Sequence, residues 1–219
     1  MLSPLRRSPL VEAICARLLD QHRATEWLPG ERTLSARMGV SRSALREAVQ
    51  RLEIQGLLEV KHGVGVRVVN NPQVPVRATL LRELPDFGER LRQFSEVRLL
   101  IEPEIARRAA ERATPDQRAG LRAVHSRLGS ASNVESAVRA DLDFHRLLAE
   151  IAGNRVLALM LGSIAGLEEE TRQITLMRVG LAEAFAQHEQ VVVAVETGDR
   201  EAAHAAMLAH VTAARRTAG

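Results

Sequence analysis

The sequence predicts a mainly α protein in two parts. Residues 1–70 read as a winged helix-turn-helix, three helices plus a β-hairpin wing, and residues 86–219 as an antiparallel α-helical bundle of about six helices, with a linker at 71–85. Three observations carry this. Apolar residues recur at helical spacing along almost the whole chain. The one clear break is a short alternating stretch with glycines at its centre, near residues 57–69. Aromatic residues make up only 2% of the chain and tyrosine is absent, so the core is built from Leu, Val, Ile and Ala, a composition suited to packed helices.

Taken in order, the first helix starts at Pro9, a residue suited to a helix's first turn, and places Leu10, Ile14 and Leu18 on one stripe. After the connector ATEWLPG, the segment ERTLSARM forms a short helix stopped by Gly39. Val40-Ser41 turns the chain into RSALREAVQRLEIQ, a longer helix closed by Gly56. In LLEVKHGVGVRVV, Leu58 and Val60 alternate with charge, Gly63-Val64-Gly65 turns, and Val66 and Val68 alternate again: a hairpin placed as a wing. NNPQVP then marks a domain boundary. Beyond it, periodic segments run near 86–112, 116–129, 134–152, 154–178, 181–197 and 200–216, with short connections that favour antiparallel neighbours.

Composition narrows the function classes. No apolar run reaches the roughly 18–20 residues of a membrane span, so no membrane partner is expected. The N-terminal segment lacks an uninterrupted apolar stretch after Arg6 and Arg7, so a signal peptide is not expected and the predicted location is cytoplasmic. The single cysteine, Cys15, lies in a helical apolar pattern and reads as a core thiol. Charge is unevenly divided: residues 1–70 hold 11 basic and 7 acidic residues, a net of +4, whereas the remainder holds 19 and 20. A positive N-terminal third fits a nucleic-acid partner but does not by itself identify one.

In a helix-turn-helix the second helix enters the major groove with its N-terminal residues at the base edges. That end here reads Ser41-Arg42-Ser43-Ala44-Leu45-Arg46. Arg42 and Arg46, four apart, share a face and suit bidentate pairing with guanine. Ser41 and Ser43 are short donors for phosphates or base edges, and Arg32 opens the preceding helix. The wing tip Lys61-His62-Gly63 adds a cation and a glycine that lets backbone approach DNA. Solvated arginines are the plainer reading of any one of these residues; the ordered set of helix, helix, turn, helix and wing is harder to explain so. LPGERTLSARMGVSRSALREAVQRLEIQGLL followed by HGVGVRV resembles the N-terminal signature of the GntR family of bacterial regulators, over roughly residues 9–69. That resemblance implies operator contacts by Arg32, Arg42, Arg46 and His62-Gly63. The glycine-rich lead-in common in the family is missing before Leu28.

In the bundle, polar residues interrupt three apolar stripes. Asp141 and His145 fall along Val134, Val138, Leu142, Leu148 and Ala152; His188 lies among Leu181, Phe185, Val192 and Val195; His210 lies between Met207 and Ala214. A buried carboxylate is costly unless paired or metal-bound, and one divalent cation per chain would satisfy all four side chains. Zn, Ni or Mn would serve, the latter two leaving positions open for an effector. D-x-x-F-H at 141–145, AGN at 152–154 and the histidines at 188 and 210 resemble the C-terminal FCD domain of the FadR-type subgroup, over about residues 87–215, which implies a metal beside a carboxylate effector. His125 and His204 match no such position and read as structural or exposed. Arg98, four residues before Glu102, reads equally as half of a buried ion pair or as an effector clamp. Asn154 reads as a helix cap, with effector binding as the alternative.

The sequence thus predicts a non-enzyme: a homodimer on a pseudo-palindromic double-stranded operator, controlled by a small carboxylate. A regulator with a purely structural metal is the second reading, and a metal-dependent hydrolase a third, disfavoured by four protein ligands and the lack of a general base.

Overall fold

A computed structural model of the chain describes residues 9–165 and 169–218. The first eight residues, where a leader would begin, and residues 166–168, inside the helical segment expected at 154–178, lie outside the described residues. The chain forms two compact units, the first ending at Thr79 and the second starting at Leu80.

The first unit contains α1 (Pro9–Gln21), α2 (Glu31–Met38), α3 (Arg42–Ile54), β1 (Leu58–Lys61) and β2 (Gly65–Val68). Helix α2 ends at Gly39, whose left-handed backbone (φ 66°) lets its N–H reach the last carbonyls. Two residues later Ser41 caps α3, its Oγ accepting the Ala44 N–H at 3.2 Å. The tight turn is therefore written by a C-cap glycine followed at once by an N-cap serine. Leu45, Ala48 and Leu52 form the buried stripe of α3 and pack on α1 through Ile14 and Leu18, while Val49 is only half buried. The strands pair antiparallel, Leu58 opposite Val68 and Lys61 opposite Gly65.

The connector before α2 has more structure than its sequence suggests. Thr25 and Leu28 donate backbone bonds to Val68 and Val66, each at 2.8 Å, and Trp27 bridges to Arg67. The wing's second strand is thereby held on both edges.

Within the expected linker at 71–85, Gln73–Glu83 is a helix, α4. Pro75 sits in its first turn, where the missing N–H would have no intrahelical acceptor, so it does not prevent the helix. No residue of α4 is buried, which explains why no core stripe announced it.

After α4 the described residues of the second unit form α5 (Phe87–Arg112), α6 (Pro115–Gly129), α7 (Val134–Ile151), α8 (Arg155–Ala165), α9 (Glu169–Val179), α10 (Leu181–Thr197) and α11 (Arg200–Ala218). Both α8 and α9 fall in the segment expected at 154–178. Starts are chemically marked: Asp86 caps α5, and Thr114 and Asn133 make reciprocal capping boxes with Gln117 and Ser136. The core is aliphatic apart from Phe94 and Phe144, with Ile105, Leu121, Leu148, Val191, Val195 and Met207 all essentially inaccessible. Helices α5, α7, α10 and α11 meet around it, and their inner faces also hold the polar cluster described next.

Candidate DNA interface and metal centre

Every residue expected to read DNA is exposed: Arg32, Ser41, Arg42, Ser43, Arg46, Lys61, His62 and Gly63. Sequence reasoning missed what holds the two arginines. Glu31, at the first position of α2, accepts Arg42 Nε at 2.6 Å on one oxygen and Arg46 Nε at 2.7 Å on the other. Hydrogen bonds first from Arg46 and then from Arg42 hold the Glu31 carboxyl below its ordinary range. One carboxylate thus holds two exposed guanidinium groups of α3 through their Nε atoms. The signal was available as an acidic residue between Gly30 and Arg32, but the contact spans 11 and 15 residues and needs the turn. Gly63 has a left-handed backbone (φ 74°) and open space where a side chain would be. Ser41 spends its acceptor on the α3 cap.

In the second unit, Asp141, His145, His188 and His210 converge from α7, α10 and α11. One donor atom from each lies within 4.8 Å of all the others, and all four residues are buried. His188 Nε2 is 3.3 Å from His210 Nε2 and 3.4 Å from Asp141 Oδ1; His145 Nε2 is 3.8 Å from Asp141 Oδ1. His145 Nε2 has no hydrogen-bond partner although it is fully buried. An orphaned imidazole nitrogen facing a carboxylate and two further imidazoles is a donor set that suits a borderline divalent cation. Burial, and then the neighbouring His210, push His188 well below the ordinary imidazole range; burial and His145 push His210 down to about 3. Both are therefore neutral at pH 7, the state in which imidazole ligates metal. Asp141 is held below its ordinary range: burial works against its charge, and Arg172 with the three histidines outweighs it.

Around these donors lies a second ring. Arg172 of α9, buried, donates from Nη1 to Asp141 Oδ2. His210 Nδ1 is 3.0 Å from Gln187 Oε1. His145 Nδ1 is 2.6 Å from Glu102 Oε2, and the other oxygen of Glu102 takes Arg98 Nε. His188 stacks face to face on Phe144, ring centres 4.1 Å apart. Arg98, Asp141, Arg172, Gln187 and His210 line a cavity of about 20 Å³, together with Leu176, Val179, Ala184 and Ala214. Of the residues here, Arg172 and Gln187 escaped sequence reasoning. Arg172 was findable, since it shares a stripe with Leu176 and Val179.

The remaining expectations divide. Arg98 forms the ion pair with Glu102 and also borders the cavity. Asn154 caps α8, its Oδ1 accepting Val156 N–H at 3.0 Å and Leu157 N–H at 3.2 Å, and it is not among the residues that line this cavity. His125 is 1% exposed, stacked on Phe185 at 4.1 Å and paired with Glu189 at 2.8 Å, so it is structural. His204 is half buried.

A solvent-facing recognition helix and wing, joined in one chain to a helical unit with an inward polar pocket, define a DNA-binding transcriptional regulator. Residues 7–68 match the bacterial regulatory proteins of the gntR family and residues 93–213 match the FCD domain. The chain belongs to the GntR family, with an FCD domain as its second unit. It is similar to the HTH-type transcriptional regulator LutR of Bacillus subtilis (strain 168), 32% identical over 85% of this chain and 91% of that protein. It is also similar to the HTH-type transcriptional repressor NanR of Escherichia coli (strain K12), 31% identical over 98% of this chain and 86% of the relative. Among solved structures, Streptococcus agalactiae GntR superposes with a TM-score of 0.69 at 28% identity, covering 94% of this chain and 99% of that one. These relatives are named as regulators, and the chain is a regulator, not an enzyme. No described helix is long and apolar enough to cross a membrane.

Proposed function

We propose that this chain is a homodimeric, effector-controlled regulator. Its two winged units read a pseudo-palindromic operator, and Asp141, His145, His188 and His210 hold one divalent metal ion per chain at which a small carboxylate binds. The observation that carries the reading is the convergence of four buried donors, two of them histidines kept neutral, beside a cavity bordered by Arg98 and Arg172. When bound, the cation would act as a Lewis acid that attracts an anionic ligand. Without it, the two guanidinium groups are balanced by Asp141 and Glu102. A divalent cation adds positive charge to the pocket, and an effector carboxylate would offset part of it.

Arg172 holds the Asp141 carboxylate and stands at the cavity, so its guanidinium can pass from Asp141 to an effector anion. A cavity of about 20 Å³ accommodates little more than one water. Effector entry therefore requires α9, which carries Arg172, Leu176 and Val179, to shift. Operator control follows if the dimer arrangement that reads DNA and the one that accepts effector differ. A two-fold dimer places two recognition helices one DNA turn apart, matching a palindrome.

The test is elemental analysis of untagged protein purified without chelator, followed by a thermal-shift screen of small carboxylic acids with and without metal. Operator DNA selected by the protein from a random pool then reports release by any stabilising acid. One equivalent of metal and a metal-dependent stabilisation support the reading. No stoichiometric metal in wild type, with unchanged stability in His188→Ala and His210→Ala, refutes it.

A further inference from the structure

We infer that Glu102 is the positioning residue of the metal centre: pinned by Arg98, it grips the Nδ1 edge of His145 and so turns Nε2 toward the other three donors. The inference rests on the metal reading above. Glu102 is 1% exposed, on an inner face of α5 that contributes no proposed ligand. Its two oxygens are divided between two tasks, Oε1 taking Arg98 Nε and Oε2 lying 2.6 Å from His145 Nδ1. A carboxylate buried this completely is costly, and its pair with Arg98 occupies only one of its two oxygens, so the other needs a partner of its own. The second oxygen lies against a ring whose opposite nitrogen, Nε2, is buried without a hydrogen-bond partner.

Carboxylate contact at Nδ1 favours the tautomer with its proton there and leaves the Nε2 lone pair for a cation. Gln187 plays the weaker, uncharged version of this part at His210 Nδ1, 3.0 Å away. His188 has no polar partner at Nδ1 among the described residues and is held by stacking on Phe144 instead. The three histidines are thus fixed by a charge, an amide and a ring face. The charged one should matter most to affinity.

The experiment compares zinc binding by wild type, Glu102→Gln and the double variant Arg98→Met with Glu102→Gln, by competition with a fluorescent zinc chelator. Melting of each chelator-treated protein is measured alongside. Glu102→Gln removes a buried carboxylate that pairs with Arg98 and should lower the apo melting temperature. The double variant removes both buried charges and should regain most of that loss. Both should bind zinc about 10- to 100-fold more weakly than wild type. The double variant keeps the test sound even where the single one fails to fold. Wild-type zinc affinity in a folded double variant would reduce Glu102 to an ion-pair residue and overturn the inference. Wild type that binds no zinc would overturn the metal reading itself, a result distinct from a failure of Glu102 alone.

Discussion

Replacing Arg172 with methionine should destabilise the metal-free protein far more than the metal-loaded one. Arg172 and Asp141 are both nearly inaccessible, and the guanidinium is the first counter-charge acting on that carboxylate. Methionine keeps most of the side-chain volume, so the dominant loss is electrostatic. Removing one partner of a buried pair costs about 3–5 kcal/mol because the other charge is left uncompensated. For a unit of this size each kcal/mol is worth roughly 2–4 °C, so the chelator-treated variant should melt roughly 10 °C lower. A cation among Asp141, His145, His188 and His210 would replace the guanidinium as the counter-charge, and the fall in the loaded protein should be smaller. By the thermodynamic cycle, the variant must then bind metal more tightly than wild type. Scanning calorimetry of the second unit's transition, with chelator and with zinc, measures both legs. Equal falls in the two states, or weaker zinc binding by the variant, would refute the argument that Arg172 and a cation compete for Asp141.

Four further outcomes are expected. Arg42→Ala or Arg46→Ala should leave the fold intact and cost about 1–3 kcal/mol of selective operator binding, read as lost discrimination between selected and scrambled duplexes by fluorescence anisotropy. Lys61→Ala should weaken binding to all sequences alike and make the salt dependence shallower by about one unit; an unchanged slope would remove the wing from the phosphates. Gly56→Ala should lower the stability of the first unit by at least about 1 kcal/mol, since the backbone there is left-handed (φ 71°) and a Cβ would lie 2.0 Å from the Asn71 carbonyl oxygen; unfolding monitored through Trp27, the chain's single tryptophan, reports it. Finally, chelator-treated protein should lose stability as pH falls from about 6.5 toward 3: unfolded imidazoles bind protons there while His188 and His210 in the fold do not, which costs about 1.4 kcal/mol per pH unit for each. Flat urea stability between pH 7.5 and 5 would contradict the neutral assignment.

Much of this protein is written locally. The Gly39–Ser41 turn, the Ser41 cap, the wing glycines and the capping boxes at Thr114 and Asn133 are decided within four residues of sequence, because caps and turns are satisfied by their own neighbours. The inward side chains were legible too: helical period alone puts Asp141, His145, His188 and His210 on apolar stripes, where polar groups need partners. What the stripe cannot say is which partner, since that depends on how helices far apart in the chain are set against one another. Glu31 beneath Arg42 and Arg46, Arg172 against Asp141, Gln187 beside His210 and Glu102 behind His145 all required the tertiary structure. Helix α4 escaped for the converse reason: it buries nothing, so its sequence carries no stripe. Sequence by itself determined which faces turn inward and which residues must find company there; packing of α5, α7, α9, α10 and α11 decided the company, because charge compensation acts across space and not along the chain.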